Sequence, residues 1–282
     1  MKLTAPKAEI FIPDGTSEAE ALRRVTHLGI GAHQDDIEIM AMPGILAGFG
    51  SREKWFMAVI TTNGAGSPRD GQYGTYTDDQ MQVVRRREQK KAAFVGEYSA
   101  VAFLDHSSSV MKDPANHGPK EDLKAILAAT RPEVVYLHNL ADKHDTHVSS
   151  SLRAIAALRE LPVGQRPHKV YGCEVWRDLD WMVDDDKVVF ALDDHENIQT
   201  SLVGVFDSQI AGGKRYDLAT MARRRAHATY FQSHAVDAAQ LVNFAMDLTP
   251  LIENEKLDIA QYVEGFLQRF SSDVTTRLKR FS

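Results

Sequence analysis

The chain has 282 residues, 43% of them hydrophobic, with 33 lysines and arginines against 39 aspartates and glutamates and a formal net charge of -6. That length is enough to bury a sizeable core in one enzyme-sized unit, and the charge argues against nucleic acid or an anionic membrane, both of which are bound through clustered positive charge. The lone Cys173 excludes an internal disulfide and a cysteine-rich zinc site, so any metal must be held by His and carboxylates.

The N-terminal MKLTAPKAEIFIPDG lacks the apolar core of a signal peptide. No stretch approaches the roughly 18 apolar residues of a spanning helix. The expected location is cytoplasmic. From about Val25, short apolar runs alternate with longer amphipathic segments, the pattern of a parallel sheet with crossover helices. VTHLGIGAH reads as the first buried strand, residues 37–49 as a helix, and the β-branched run WFMAVITTN as the second strand. The glycine-rich GAGSPRDGQYGTY is a loop. Thr77 then caps a helix running to about Val95, with Gly96 as its stop.

SAVAFL reads as a third strand, 119–130 as a helix and EVVYLHN as a fourth strand, followed by the polar LADKHDTH, a helix from about Val148 to Glu160 and a strand near KVYGCEVW. VVFAL is a further short strand, and beyond Asn197 the signals are mostly helical. The expectation is a single α/β domain with a mostly parallel sheet, its core at about 20–195 and a helical region at about 196–282. The amphipathic spacing of YVEGFLQRF leaves self-association through that region open.

In an open parallel sheet, ligands sit outside the carboxyl ends of the strands. Two polar segments fall there: His33-Gln34-Asp35-Asp36-Ile37-Glu38 after the first strand, and His144-Asp145-Thr146-His147 after the fourth. Catalytic zinc takes three protein ligands and leaves a position for water, and His33, Asp36 and His147 can supply that set. Asp35 can then accept a proton, His144 can face a developing oxyanion, and Asp145 can orient that imidazole. His106, after the third strand, can line the pocket. The bland alternative is that two adjacent aspartates before a helix are caps and dipole partners.

AHQDDIE resembles the AHPDDxE signature of the N-acetylglucosaminyl-phosphatidylinositol de-N-acetylase, or LmbE-like, family, and HDTH resembles its HPDH segment. The resemblance implies a Rossmann-like three-layer fold and zinc-dependent removal of acetyl groups from N-acetylated sugars. Zinc would be held by His33, Asp36 and His147, with Asp35 as base and His144 in an electrostatic or acid role. TTNGAGS looks like the family's loop after its second strand, Arg85 with Glu88 and Ala92-Ala93 like its RxxExxxAA helix, whose Arg contacts substrate, and AHATY like a late segment that would bring His227 to the site. Gln34 stands where the family has Pro, and Tyr230 where Gln is usual. The same His and carboxylate set also accepts Fe(II), so an iron(II) oxygenase using His33, Asp35 and His147 is a rival reading, as is a non-catalytic sugar-binding relative.

Overall fold

The structure, a computed structural model, describes residues 1–282. Eight strands, β1 Glu9–Phe11, β2 His27–Gly31, β3 Phe56–Thr62, β4 Ala100–His106, β5 Val134–His138, β6 Lys169–Cys173, β7 Lys187–Ala191 and β8 Val242–Asp247, form one sheet in the order β1-β4-β3-β2-β5-β6-β8-β7. The five strands from β4 to β6 in that order are mutually parallel, and the three outer pairings, β1 with β4, β6 with β8 and β7 with β8, are antiparallel. No helix is long and apolar enough to cross a membrane.

Helices cover both faces, which is why β2 and β3 read as unbroken apolar runs: every residue of both is buried. Alternation still sorts the side chains. Leu28, Ile30, Met57, Val59, Val135 and Leu137 pack with the helices Gly118–Thr130 and Asp145–Arg159. Phe56, Ala58, Ile60, Val101, Phe103 and Tyr136 face the opposite layer with Ile37, Met40, Ala92 and Phe206. Gly29 lets that second layer close on β2, because a Cβ there would stand 2.9 Å from the Phe56 ring and 3.0 Å from Ile37.

The helix expected from Thr77 is present as Asp78–Val95 with a full capping box: the Thr77 hydroxyl accepts from the Gln80 N–H, and the Gln80 side chain accepts from the Thr77 N–H. Residues 37–49 instead form two short helices, Asp36–Met40 and Met42–Gly48, which meet at Ala41. The region beyond 195 holds more than helices. VNFAMD is β8, inserted between β6 and β7, so the sheet takes one of its strands from the segment read as a helical tail. Its first five residues are all buried, and a short apolar run without alternation cannot be told from a helical segment by periodicity.

Phe244 of β8 is 1% exposed, stacks on His227 and packs at a tilt against Phe231. Phe244→Ala should cost about 3–5 kcal/mol by lost transfer energy and the cavity left behind. Urea unfolding with an unchanged slope would register it, and a cost under about 1 kcal/mol would show that β8 is not integral to the core.

Candidate active site

The crossovers from β2 lead one way to β3 and β4, while β5 and β6 lie on its other side, so the carboxyl ends of β2 and β5 flank the topological switch point where open sheets bind ligands. The segment 32–36 follows β2, and His138 ends β5. The helix Asp145–Arg159 then begins with His144 as its cap, its Nδ1 accepting from the Thr146 N–H at 3.3 Å, and brings His147 inward on the first turn.

These elements converge on one point. His33 Nδ1 lies 3.2 Å from Asp36 Oδ2 and 3.2 Å from His147 Nε2, and the latter two atoms are 3.4 Å apart. Two ligands each about 2.0–2.1 Å from one ion at a tetrahedral angle are about 3.3 Å apart, so the three atoms are spaced as a zinc-type donor set requires. His144 joins His33 and His147 in a wider grouping, and His138 joins Asp36 and His147 in another. His138 Nε2, however, already accepts the Ala32 N–H at 2.9 Å, which occupies its lone pair.

The protonation states suit ligation. Burial lowers His147 to about 4, leaving a neutral imidazole. Its Nδ1 bonds Asp142 Oδ2 at 3.3 Å, which fixes the tautomer and frees the Nε2 lone pair. Burial would raise the Asp36 carboxyl, but the imidazoles of His147 and His138 beside it reverse this and hold it well below the usual range. The neighbouring Asp35 is raised by burial to about 6 even though the Arg85 guanidinium opposes the shift.

Asp35 is held in an unusual backbone conformation, φ 95°, by what surrounds it. Its N–H donates to Gln89 Oε1 at 3.3 Å, and Arg85 Nη2 donates to its carboxylate at 3.0 Å and to the Gln34 carbonyl. The Gln89 amide in turn donates to Glu38, which also accepts from the Tyr98 hydroxyl, and burial raises Glu38 to about 7. From behind, the buried Arg224 donates to the Glu38 and Ile39 carbonyls at 3.0 and 3.1 Å, closing the end of the helix Asp36–Met40. Gln34, in the family's Pro position, uses its side-chain amide to bond the Thr62 carbonyl at 3.3 Å and so ties the motif to the end of β3. Gly64, at φ +76°, is needed opposite it, since a Cβ would come 2.5 Å from Gln34 Oε1.

A cavity of about 330 Å³ opens over this cluster, lined by His33, Asp35, Asp36, Arg85 and His144, with Trp176 and Tyr216 among the outer residues. Three residues expected at the site lie elsewhere or point away. Asp145 is exposed and makes no bond to His144. His106 is buried in a pair with Asp122 at 2.9 Å, a carboxylate that also anchors Thr4, so its ring serves the N-terminal segment. His227 pairs with Glu174 at 2.9 Å and stacks on Phe244 of β8, off the cavity wall.

Asp142 and His138 were not singled out from the sequence. Asp142 accepts from the His147 ring, from the His144 backbone N–H and from the Trp176 backbone N–H, linking the His147 imidazole and the His144 backbone to the cavity wall. Its position five residues before His147, in a turn after a strand end, was the available signal. Asp142→Ala should weaken metal binding about 10–100-fold by freeing the His147 ring. A competition titration against a chromophoric chelator reads this directly, and unchanged affinity would remove Asp142 from the site.

A family model described as PIG-L, GlcNAc-PI de-N-acetylase, matches residues 28–158. No curated protein sequence matches the chain. Among solved structures, GalB, the 4-carboxy-2-hydroxymuconate hydratase of Pseudomonas putida KT2440, is similar at TM-score 0.60 and 18% identity, covering 79% of this chain and 96% of its own. The N,N'-diacetylchitobiose deacetylase of Pyrococcus horikoshii is similar at TM-score 0.62 and 14% identity, covering 86% and 90%. The A40926 pseudoaglycone deacetylase Dbv21 is similar at 0.56 and 13%, covering 79% and 97%. At these identities the likenesses establish the α/β fold. The motifs at His33–Asp36 and His144–His147 both fall inside residues 28–158, the span of the chain that matches the PIG-L family model.

Proposed function

We propose that this protein is a zinc-dependent N-deacetylase that hydrolyses the acetamide of an N-acetylated sugar or sugar conjugate. The observation that carries the reading is the triangle of His33, Asp36 and His147 donor atoms at 3.2–3.4 Å with a separate carboxylate, Asp35, beside it. Zinc bound by these residues supplies Lewis acidity, making water a nucleophile near neutral pH and polarising the amide carbonyl.

The remaining work falls to side chains of the chain itself. Asp35 takes the proton from the attacking water and returns it to the departing amine, and its elevated pKa suits both transfers. Arg85, locked between Asp35 and the Gln34 carbonyl, holds that carboxylate in place. The His144 Nδ1 is occupied by the Thr146 N–H and burial lowers its pKa, so the neutral ring carries its proton on Nε2, a donor available to the developing oxyanion. Acetate and a free amine are the products.

A hydratase shares the fold, so fold alone cannot decide the reaction. Acetate release from a panel of N-acetylated mono- and disaccharides is the deciding assay. Turnover above the metal-free control supports the reading. A protein that binds zinc and releases no acetate from any member of the panel would leave the non-catalytic sugar-binding reading in its place, and oxygen-dependent turnover with bound iron would favour the oxygenase.

A further inference from the structure

The deacetylase reading fixes the bond that breaks and says nothing of the rest of the substrate. The cavity wall does. Apart from the base and the ligand carboxylate, Asp35 and Asp36, no acidic side chain lines it, and both of these are already compensated, one by Arg85 and the other by imidazoles. Lys112 reaches the same cavity from the end of the helix Ser108–Lys112.

Two more lysines stand over the cavity's aromatic wall. The Lys214 ammonium lies 4.9 Å and the Lys143 ammonium 5.9 Å from the centre of the Trp176 ring, which stacks at 6.4 Å on His144 and meets Tyr216 edge-on. Five lysines elsewhere are paired with carboxylates, among them Lys90 with Glu9, Lys120 and Lys124 with Glu160, and Lys187 with Asp184, and six others scattered over the surface are not; what sets Lys112, Lys143 and Lys214 apart is their position beside one cavity. Lys112, Lys143 and Lys214 have no such partner, although the chain as a whole carries a net charge of -6. Lys112 in the cavity wall, with Lys143 and Lys214 against its Trp176 and no uncompensated acidic side chain in the lining, makes a local field that draws an anion toward the site.

We infer that the substrate carries a carboxylate or phosphate close to its N-acetylated ring, held by Lys112, Lys143 and Lys214 while a face of the ring lies on Trp176. This rests on the deacetylase reading for the reaction, while the recognition of the anion stands on the wall itself. Lysine suits either anion as a point charge, so the geometry does not separate carboxylate from phosphate and the test must. Each exposed pair contributes only a few-fold, and three acting together give a preference on the order of tenfold or more that weakens as salt rises.

The test measures kcat/KM for acetate release from N-acetylglucosamine and its methyl glycoside as neutral substrates, from N-acetylglucosamine 1-phosphate and 6-phosphate, and from N-acetylmuramic acid as the carboxylate. The expected result is at least a tenfold preference for one anionic class, falling several-fold in 0.5 M NaCl. In a Lys112→Ala/Lys143→Ala/Lys214→Ala variant with unchanged metal content, the preference should approach unity.

Calorimetric binding of the amine product of the preferred class separates recognition from reaction; where no substrate turns over, both the 6-phosphate and the carboxylate amines are titrated. Lysine-dependent binding without acetate release from any substrate would keep the anion inference and sink the deacetylase reading. Acetate released equally well from neutral and anionic substrates, or a preference that survives in the triple variant, would overturn the anion inference and leave the deacetylase. Failure of both turnover and binding would overturn both.

Discussion

Asp35→Asn should lower the rate of acetate release by about 10²–10⁴-fold while the metal content stays at the wild-type level, the usual contribution of a positioned general base. Asparagine is the informative replacement because it preserves the volume and tolerates the positive φ that Asp35 adopts, which alanine accepts less readily. It removes only the negative charge and the ability to take a proton. The carboxylate is not one of the three closely spaced donor atoms, so the ion should remain bound. The Arg85 guanidinium will lose its charged partner but keeps the Gln34 carbonyl as acceptor, and Glu88 lies 3.7 Å away.

The measurement is therefore a pair: kcat for acetate release, and zinc per chain by elemental analysis. A loss of rate accompanied by a loss of metal would mean that Asp35 supports the centre instead of acting as base. Wild-type turnover in a metal-replete variant would end the assignment outright. An intermediate control is Gln89→Leu, which removes the acceptor of the Asp35 N–H, and with it a donor to Glu38, while leaving the Asp35 and Asp36 side chains in place. It should reduce kcat more than it changes KM, because it alters where the base stands and not what the cavity binds.

Much of the candidate site is legible in the sequence because its residues fall in two short polar segments, each at a strand end. His33 to Asp36 is one short segment, and His147 lies in the first turn of the helix Asp145–Arg159, which begins three residues before the Val148 expected from the sequence. Strand ends are predictable from apolar runs, and the rule that ligands gather at the carboxyl ends of parallel strands then joins two distant segments without any knowledge of side-chain geometry. The capped helix from Thr77 was legible for the same reason: its signals are local.

What stayed hidden depends on long-range packing. His138 reads as the polar end of a buried strand, and only the approach of the β2 terminus shows that it accepts the Ala32 N–H and stacks on His147 at 3.9 Å. Asp142 and Asp145 are equally plausible partners for an imidazole by spacing. The helical start at Asp145 turns one carboxylate to solvent, while the turn before it aims the other inward. His227 was drawn to the site by a short late motif, but the strand β8, which periodicity could not reveal, passes beneath it and gives its ring a different neighbour in Phe244. The lysines around Trp176 come from loops and short helices far apart in the chain, and no motif joins them.

Removal of the metal should abolish acetate release and also destabilise the fold. A chelator such as dipicolinate is expected to bring turnover to the background rate, and stoichiometric zinc to restore it. An ion held at about 1,000 times its dissociation constant stabilises the native state by about 4 kcal/mol, which at this size corresponds to a fall in Tm of roughly 7 °C on stripping. The donor set explains why the effect should be large. Asp36 is 2% exposed and ionised, His147 is fully buried and neutral, and the backbone N–H of His33 donates to the same Asp36 oxygen at 2.6 Å. Reconstitution with zinc and with iron(II) under anaerobic conditions, each followed by acetate release, separates the metals that this mixed imidazole and carboxylate set accepts. His147→Ala should melt at or below the stripped wild-type protein, because the buried ring and its bond to Asp142 are also lost, and gain nothing from added zinc. If the stripped protein instead keeps its turnover, the three residues are a buried polar cluster and no metal chemistry is at work; if it keeps its melting temperature but loses activity, the ion binds too weakly to contribute to the fold and the centre is purely catalytic.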